Sequence, residues 1–159
     1  MTQKNTTETR QSIIDACLWM NSSGLNQGTS GNISVRTDEG ILITPSSLAY
    51  EETTPEDIML LPGNGLSGEA IGPNRPSSEW KFHADIYNDR DDIHCVVHTH
   101  STYATSISML RKDIPAVHYM IGVFGGDSIR CADYSHYGSE GLSENALVAL
   151  KDRTGCLLG

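Results

Sequence analysis

The fold is decided by the stretch Ile33-Ser34-Val35-Arg36-Thr37-Asp38-Glu39-Gly40-Ile41-Leu42-Ile43. Apolar and polar residues alternate from Ile33 to Arg36, as they do in a strand with one buried face. Asp38-Glu39-Gly40 is a typical turn sequence, and the apolar residues Ile41–Ile43 form the returning strand. The stretch therefore predicts an antiparallel hairpin.

Elements on both sides of this hairpin follow from the same kind of pattern. On the N-terminal side, apolar residues recur at helical spacing between Ile13 and Leu18, which predicts an amphipathic helix over Thr7–Ser22. On the C-terminal side the predicted elements are a helical turn at Thr54–Asp57, strands at Ile58–Leu61, Ile93–Thr99, Ile129–Ala132 and Gly155–Leu158, a loop at Pro62–Pro76, and helices from Pro76 to about Asn88, at Ser101–Leu110 and at Ser139–Lys151. Hairpins with interspersed helices favour an α/β fold, a three-layer α/β/α arrangement with a central, mainly antiparallel sheet. The length of 159 residues predicts a single domain over residues 1–159.

Composition excludes several classes of function. The net charge of −9 disfavours binding to nucleic acid, which is itself polyanionic. No apolar run approaches the roughly 20 residues of a membrane span, so we expect no membrane partner. The four cysteines form no CxxC motif, and we expect free thiols in a reducing, cytoplasmic protein.

The strongest chemical signal is Val96-Val97-His98-Thr99-His100. Side chains alternate faces along a strand, so His98 and His100 should point the same way, with Cα atoms roughly 6–7 Å apart. Two imidazoles at this spacing can bind one metal ion. They could also be inert polar residues at a strand end. His94 is about 13 Å away along a strand, too far to share the ion, and Cys95 faces the other side.

A further metal ligand is expected from the helix just upstream. Glu79, predicted in the first turn of that helix, is the best candidate, although a carboxylate there also has a purely structural explanation in the helix dipole. His83 lies one turn later on the same face. We interpret it as a hydrogen-bonded helix histidine rather than a ligand.

Three segments have the composition of a phosphate-binding site without lysine. They are the glycine loop Gly28–Asn32, the hydroxyl-rich Thr44–Ser47, and Ser77-Ser78 at a predicted helix N-terminus. Backbone N–H groups at a helix N-terminus and hydroxyl groups can hold a phosphate. A small phosphorylated metabolite is therefore an expected partner.

Together these motifs resemble the aldolase/epimerase/adducin-head superfamily, and within it the class II fuculose-phosphate aldolase type. The motifs that carry the resemblance are Asn26-Gln27-Gly28-Thr29-Ser30-Gly31-Asn32, Leu42-Ile43-Thr44-Pro45, Pro76-Ser77-Ser78-Glu79-Trp80, Val96-Val97-His98-Thr99-His100 and Ile114-Pro115-Ala116-Val117-His118-Tyr119-Met120. The resemblance implies an α/β/α fold, a homotetramer with active sites between subunits, and a divalent metal, Zn2+ above all.

The resemblance also implies roles for single residues. His98 and His100 match metal ligands, and Glu79 matches a carboxylate that touches the metal and acts as acid and base. Tyr119 matches a tyrosine that assists proton transfer at the aldehyde oxygen in a neighbouring subunit's site. The positions that match the surroundings of the substrate phosphate are Thr29, Asn32, Ser46, Ser47, Ser77 and Ser78.

The expected activity is reversible cleavage of a fuculose-like ketose 1-phosphate to dihydroxyacetone phosphate and a small aldehyde. The pattern departs from the resemblance at Ser47, where glycine is usual, and at the C-terminus, where a third metal-binding histidine is expected beyond Gly159. We therefore expect a chain that lacks the C-terminal part of the domain. Alternatives within the superfamily are a sugar-phosphate 4-epimerase, a dehydratase, a decarboxylase, and a non-catalytic adducin-head-like module.

Overall fold

The structure, a computed structural model, describes residues 3–66 and 69–159. The chain divides into two compact units, the first reaching to His100 and the second spanning Ser101–Gly159. The single domain over residues 1–159 stays a prediction. The part of the loop Pro62–Pro76 at positions 67 and 68 lies outside the described residues.

The first unit is built on the predicted hairpin. Strands β1 (Asn32–Arg36) and β2 (Gly40–Ile43) pair antiparallel, with Val35 opposite Leu42. Strands β3 (Met59–Pro62) and β4 (Cys95–His98) extend the sheet to the order β3-β2-β1-β4, and every neighbouring pair is antiparallel. The predicted mainly antiparallel sheet is confirmed.

Helices cover both faces of this sheet. Helix α1 (Thr7–Ser22) packs on one face and helix α2 (Trp80–Asp89) on the other. The core on the α1 side consists of Ile13, Ile14, Cys17, Met20, Ile33, Leu42, Tyr50, Ile58 and Leu60. The core on the α2 side consists of Ile41, Ile43, Met59, Leu61, Ala84 and Tyr87. Consecutive residues of β2 and β3 divide between the two cores, because strand side chains alternate faces. The predicted α/β/α layering is thus confirmed in this unit.

Local sequence explains where these elements begin. The side chain of Thr6 accepts a hydrogen bond from the backbone N–H of Thr9 and caps α1. A capping box between Thr54 and Asp57 encloses a 3-10 helix, Pro55–Asp57, where a helical turn was predicted.

The second unit contains helices α3 (Thr102–Ser108) and α4 (Glu140–Leu150) and the short parallel strands β5 (Cys131–Ala132) and β6 (Leu157–Leu158). It also contains a 3-10 helix, Tyr119–Phe124, that the sequence analysis missed. The signal for that helix is local rather than periodic. The His118 ring accepts a hydrogen bond from the N–H of Met120, and Gly125 ends the helix at a positive φ of 93°.

Within residues 3–66 and 69–159, helices long and apolar enough to traverse a lipid bilayer are absent. All four cysteines are free, as predicted.

Candidate functional site

The two histidines of the His98-Thr99-His100 motif meet at the end of β4. Their Nε2 atoms lie 2.9 Å apart, and the rings are nearly perpendicular at 81°. The expectation that both residues belong to the strand was wrong, because β4 ends at His98. The chain after the strand, rather than strand alternation, brings His100 to His98.

A buried asparagine holds this segment in place. The side chain of Asn26, 2% exposed, accepts a hydrogen bond of 2.7 Å from the backbone N–H of His100. Gly31 makes this possible, because a Cβ there would lie 2.2 Å from Nδ2 of Asn26 and 2.6 Å from the carbonyl oxygen of His98. Sequence reasoning did not assign a role to Asn26. Its position in the same loop as Gly28 and Gly31 was the only signal.

Glu79 reaches the same place from α2. It is the N-cap residue of the helix, not a first-turn residue as predicted, and its side chain does not cap the helix. Its Oε2 instead accepts a 2.9 Å hydrogen bond from the side-chain amide of Asn32 and lies 3.3 Å from Nε2 of His98. Asn32 is the cross-strand partner of His98 in the β1–β4 ladder, which explains why one carboxylate meets both.

His83 is a hydrogen-bonded helix histidine, as predicted. It is fully buried, with Ser34 Oγ 2.7 Å from its Nδ1 and the Asn32 side-chain oxygen at its Nε2. Burial, and to a lesser degree the nearby His98, lowers the pKa of His83 to about 3. The ring is therefore neutral at physiological pH.

The donor set at the end of β4 suits a divalent ion of the zinc type. Burial lowers the pKa of His98, against the opposing effect of the Glu79 carboxylate, and a neutral imidazole is the state that binds metal. Ligand atoms around a tetrahedral zinc ion stand about 3.3 Å apart, given metal–ligand distances near 2 Å. The observed separations of 2.9 Å and 3.3 Å are close to this value. In the described part of the chain, however, no three His, Cys, Asp or Glu side chains already surround one point as a bound ion requires. The Nε2 atoms of His98 and His100, 2.9 Å apart, would have to separate for both rings to bind one ion.

Two of the three predicted phosphate segments pair directly. The backbone N–H of Ser46 donates to the carbonyl of Arg75, and the N–H of Ser77 donates to the carbonyl of Thr44. Ser46 and Ser47 therefore lie beside the N-terminus of α2, where Ser78 is exposed. Ser77 is buried and its Oγ accepts a hydrogen bond from the N–H of Glu79.

The remaining predicted site residues differ in exposure and backbone conformation. Thr29 lies on an exposed turn of the glycine loop. Asn32 is 4% exposed and has its amide engaged with Glu79 and His83. Ser47 has a positive φ of 60°, a conformation that favours glycine, the residue that the resemblance leads one to expect there. Tyr119 belongs to the second unit, is 83% exposed and packs its ring against His118.

The sequence was compared with protein families and with proteins of known function. Residues 11–159 match the family described as Class II Aldolase and Adducin N-terminal domain. The chain is 49% identical to L-fuculose phosphate aldolase of Escherichia coli (strain K12) over 146 residues, which are 92% of this chain and 66% of that protein. It is 45% identical to 5-methylthioribulose-1-phosphate/5-deoxyribulose-1-phosphate aldolase of Rhodospirillum rubrum over 149 residues, 94% of this chain and 66% of that protein.

The fold of this chain also matches that of a solved structure. The structure titled L-fuculose 1-phosphate aldolase superposes with a TM-score of 0.90 at 36% identity, covering 97% of this chain and 72% of that one. The chain thus spans about two thirds of the length of the two curated relatives named above.

Proposed function

The chain belongs to the class II aldolase and adducin N-terminal domain family, and on this basis we propose that the protein is a metal-dependent aldolase, a lyase. It would cleave a ketose 1-phosphate reversibly to dihydroxyacetone phosphate and a small aldehyde. The observation that carries the proposal is the convergence of His98, His100 and Glu79 at the end of β4, with atoms 2.9 Å and 3.3 Å apart.

The proposed metal ligands are His98 and His100, with Glu79 at the metal in the resting state. Zn2+ is the ion we favour, because two nitrogens and one carboxylate oxygen are donors that it accepts. When bound, the ion supplies Lewis-acid stabilisation of the negative charge that develops beside the ketose carbonyl.

Two side chains of this protein would move the protons. Cleavage between C3 and C4 takes the proton from the C4 hydroxyl, converts C4 to the aldehyde carbon and leaves the bonding electrons on C3. Glu79, carrying a proton taken up from solvent, then delivers it to C3, which completes dihydroxyacetone phosphate. Tyr119 is proposed to relay the hydroxyl proton, because its exposed phenol can accept that proton as its own phenolic proton passes to solvent.

The substrate phosphate would be held where the two serine pairs meet. Ser46, Ser47 and Ser78 offer hydroxyl groups beside the N-terminus of α2, whose positive dipole end favours an anion. Thr29, Asn32 and Ser77 complete the proposed set. This placement would keep the phosphate near Glu79, which directly follows Ser78 in sequence.

Assembly and location belong to the same proposal. We propose a homotetramer in which Tyr119 reaches a neighbouring subunit's site, and its 83% exposure supports this role. Sedimentation velocity would give the mass directly, and a monomer at catalytic concentration would contradict intersubunit sites. A cytoplasmic location is supported by four free cysteines, which suit a reducing compartment.

The activity can be tested in the condensation direction. The purified protein is incubated with Zn2+, dihydroxyacetone phosphate and one of three aldehydes, and the ketose phosphate formed is measured. Lactaldehyde tests a fuculose-type product, as the name of the Escherichia coli relative suggests, whereas acetaldehyde and methylthioacetaldehyde test the two products suggested by the name of the Rhodospirillum rubrum relative. Product with at least one aldehyde is expected, and its absence in the His98→Ala variant is the control. No carbon–carbon bond formation with any of the three would overturn the proposal.

A further inference from the structure

A continuous series of buried polar side chains runs from Tyr87, in the last turn of α2, to the candidate site. The hydroxyl of Tyr87 lies 2.9 Å from Oγ of Ser34, which lies 2.7 Å from Nδ1 of His83. Nε2 of His83 contacts Oδ1 of Asn32, whose Nδ2 lies 2.9 Å from Glu79. Tyr87, Ser34, His83 and Asn32 are all at most 4% exposed.

The direction of each hydrogen bond between Glu79 and Ser34 follows from the donors and acceptors that these groups carry. A carboxylate only accepts, so Nδ2 of Asn32 must donate to Glu79, which turns Oδ1 toward His83. Oδ1 also only accepts, so His83 carries its proton on Nε2. Nδ1 of His83 is then an acceptor, and the Ser34 hydroxyl donates to it. Tyr87 donates to the carbonyl of Ser34 at 2.8 Å.

We propose that His83 is a positioning residue for Glu79, acting through Asn32. Its Nε2–H selects the orientation of the Asn32 amide in which Nδ2 faces the carboxylate. This inference rests on the proposed function insofar as Glu79 is the acid and base. The reversed amide would set Oδ1 against the carboxylate, a repulsive contact between two acceptors, and would set Nδ2 against the Nε2–H donor.

Ser34 belongs to the same hydrogen-bonded arrangement. The Ser34 hydroxyl can donate or accept, and donation to Nδ1 is the arrangement that matches His83 protonated on Nε2. Ser34 and Asn32 are two residues apart on β1, so their side chains point to the same face of the sheet. His83 on α2 contacts both of them on that face. The groups that face the two ring nitrogens of His83 therefore belong to the fold and not to the substrate.

The first test needs no activity. In protein labelled with 15N-histidine, NMR distinguishes a protonated from an unprotonated ring nitrogen. His83, assigned by its loss in His83→Gln, is expected to be neutral, with Nε2 protonated and Nδ1 not. A neutral ring protonated at Nδ1, or an imidazolium at neutral pH, would overturn the inference, whatever the protein catalyses.

The second test compares two variants kinetically. His83→Gln keeps an N–H donor near the position of Nε2, whereas His83→Leu removes it. We expect kcat to fall about 100-fold in His83→Leu and less than about 10-fold in His83→Gln, with KM for dihydroxyacetone phosphate little changed in both. The control is Ile86→Ala. Ile86 is buried on α2 but is not one of the hydrogen-bonded residues between Tyr87 and Glu79, so its substitution controls for lost stability and should leave kcat unchanged.

The outcomes separate the two proposals. Wild-type protein without aldolase activity defeats the proposed function, while the NMR result still decides on His83. Equal kcat values in wild type and His83→Leu, or equally deep losses in both His83 variants, overturn the positioning role. If His83→Leu fails to fold, His83→Gln and the NMR measurement still decide the question.

Discussion

Asn26 Oδ1 accepts a 2.7 Å hydrogen bond from the backbone N–H of His100, although the two residues are 74 positions apart in the chain. This contact joins the glycine loop to the segment that carries the second histidine. It depends on Gly31, whose missing side chain leaves room for the Asn26 amide and the carbonyl of His98.

Gly31→Ala should therefore disturb both stability and metal binding. The new Cβ would overlap Asn26 and the His98 carbonyl, at a φ of 74° that already disfavours alanine. We expect a loss of about 3 kcal/mol in the free energy of unfolding, measured with urea, from steric overlap and backbone strain together. Zn2+ affinity should fall as well, because His100 is displaced.

Gly28→Ala is the matched control in the same loop. Gly28 also has a positive φ, 59°, but a Cβ added there would meet nothing within 4 Å. We expect only the backbone cost, about 1 kcal/mol, with unchanged Zn2+ affinity. Equal effects of the two substitutions would show that the Asn26 contact is not what matters.

His98→Ala should remove most of the metal binding. Of the proposed ligands, His98 lies within reach of both His100 and Glu79. We expect Zn2+ affinity, measured by competition with a chromophoric chelator, to fall at least about 100-fold, more than the loss typical of outer-shell changes. His94→Ala is the control, since His94 is exposed and precedes β4. A similar affinity loss in His94→Ala would contradict the ligand assignment.

Ser47→Gly should stabilise the protein. Ser47 holds a φ of 60°, which costs a non-glycine residue about 1–2 kcal/mol, and glycine recovers this at an entropic cost of about 0.5–1 kcal/mol. The expected net gain is about 0.5–1 kcal/mol by urea unfolding. Ser46→Gly, at a position without positive φ, should lose stability instead. A loss at both positions would refute the strain at Ser47.

Acid should weaken the fold through His83. Its pKa is about 3 in the folded protein and about 6.5 when unfolded, so below pH 6.5 the unfolded chain binds a proton that the folded chain does not. The contribution of neutral His83 to the free energy of unfolding is thus fully present above pH 6.5 and is lost as pH falls toward 3. The slope from this one group is at most about 1.4 kcal/mol per pH unit. Urea unfolding of wild type and His83→Gln from about pH 7.5 to about pH 4 should show the smaller slope in the variant. Parallel curves would mean that His83 is not held neutral.

Most of the fold follows from short-range pattern in the sequence. Alternation at Ile33–Arg36 and the turn at Asp38–Gly40 predict the hairpin, and helical spacing predicts α1 over Thr7–Ser22, the bounds that the structure has. Such features depend on neighbours within a few residues. The 3-10 helix Tyr119–Phe124 lacked any such pattern, because a side-chain cap and a terminal glycine define it.

The candidate site divides in the same way. The sequence by itself determined the kinds of side chain available, the HxH pair, the serine pairs and a nearby carboxylate, because their spacing is local. Only the tertiary structure decided how they are held, with Asn26 at His100 and Asn32 between Glu79 and His83. These partners are 47 to 74 residues apart, and a buried amide finds its partners only when strands and helices have packed.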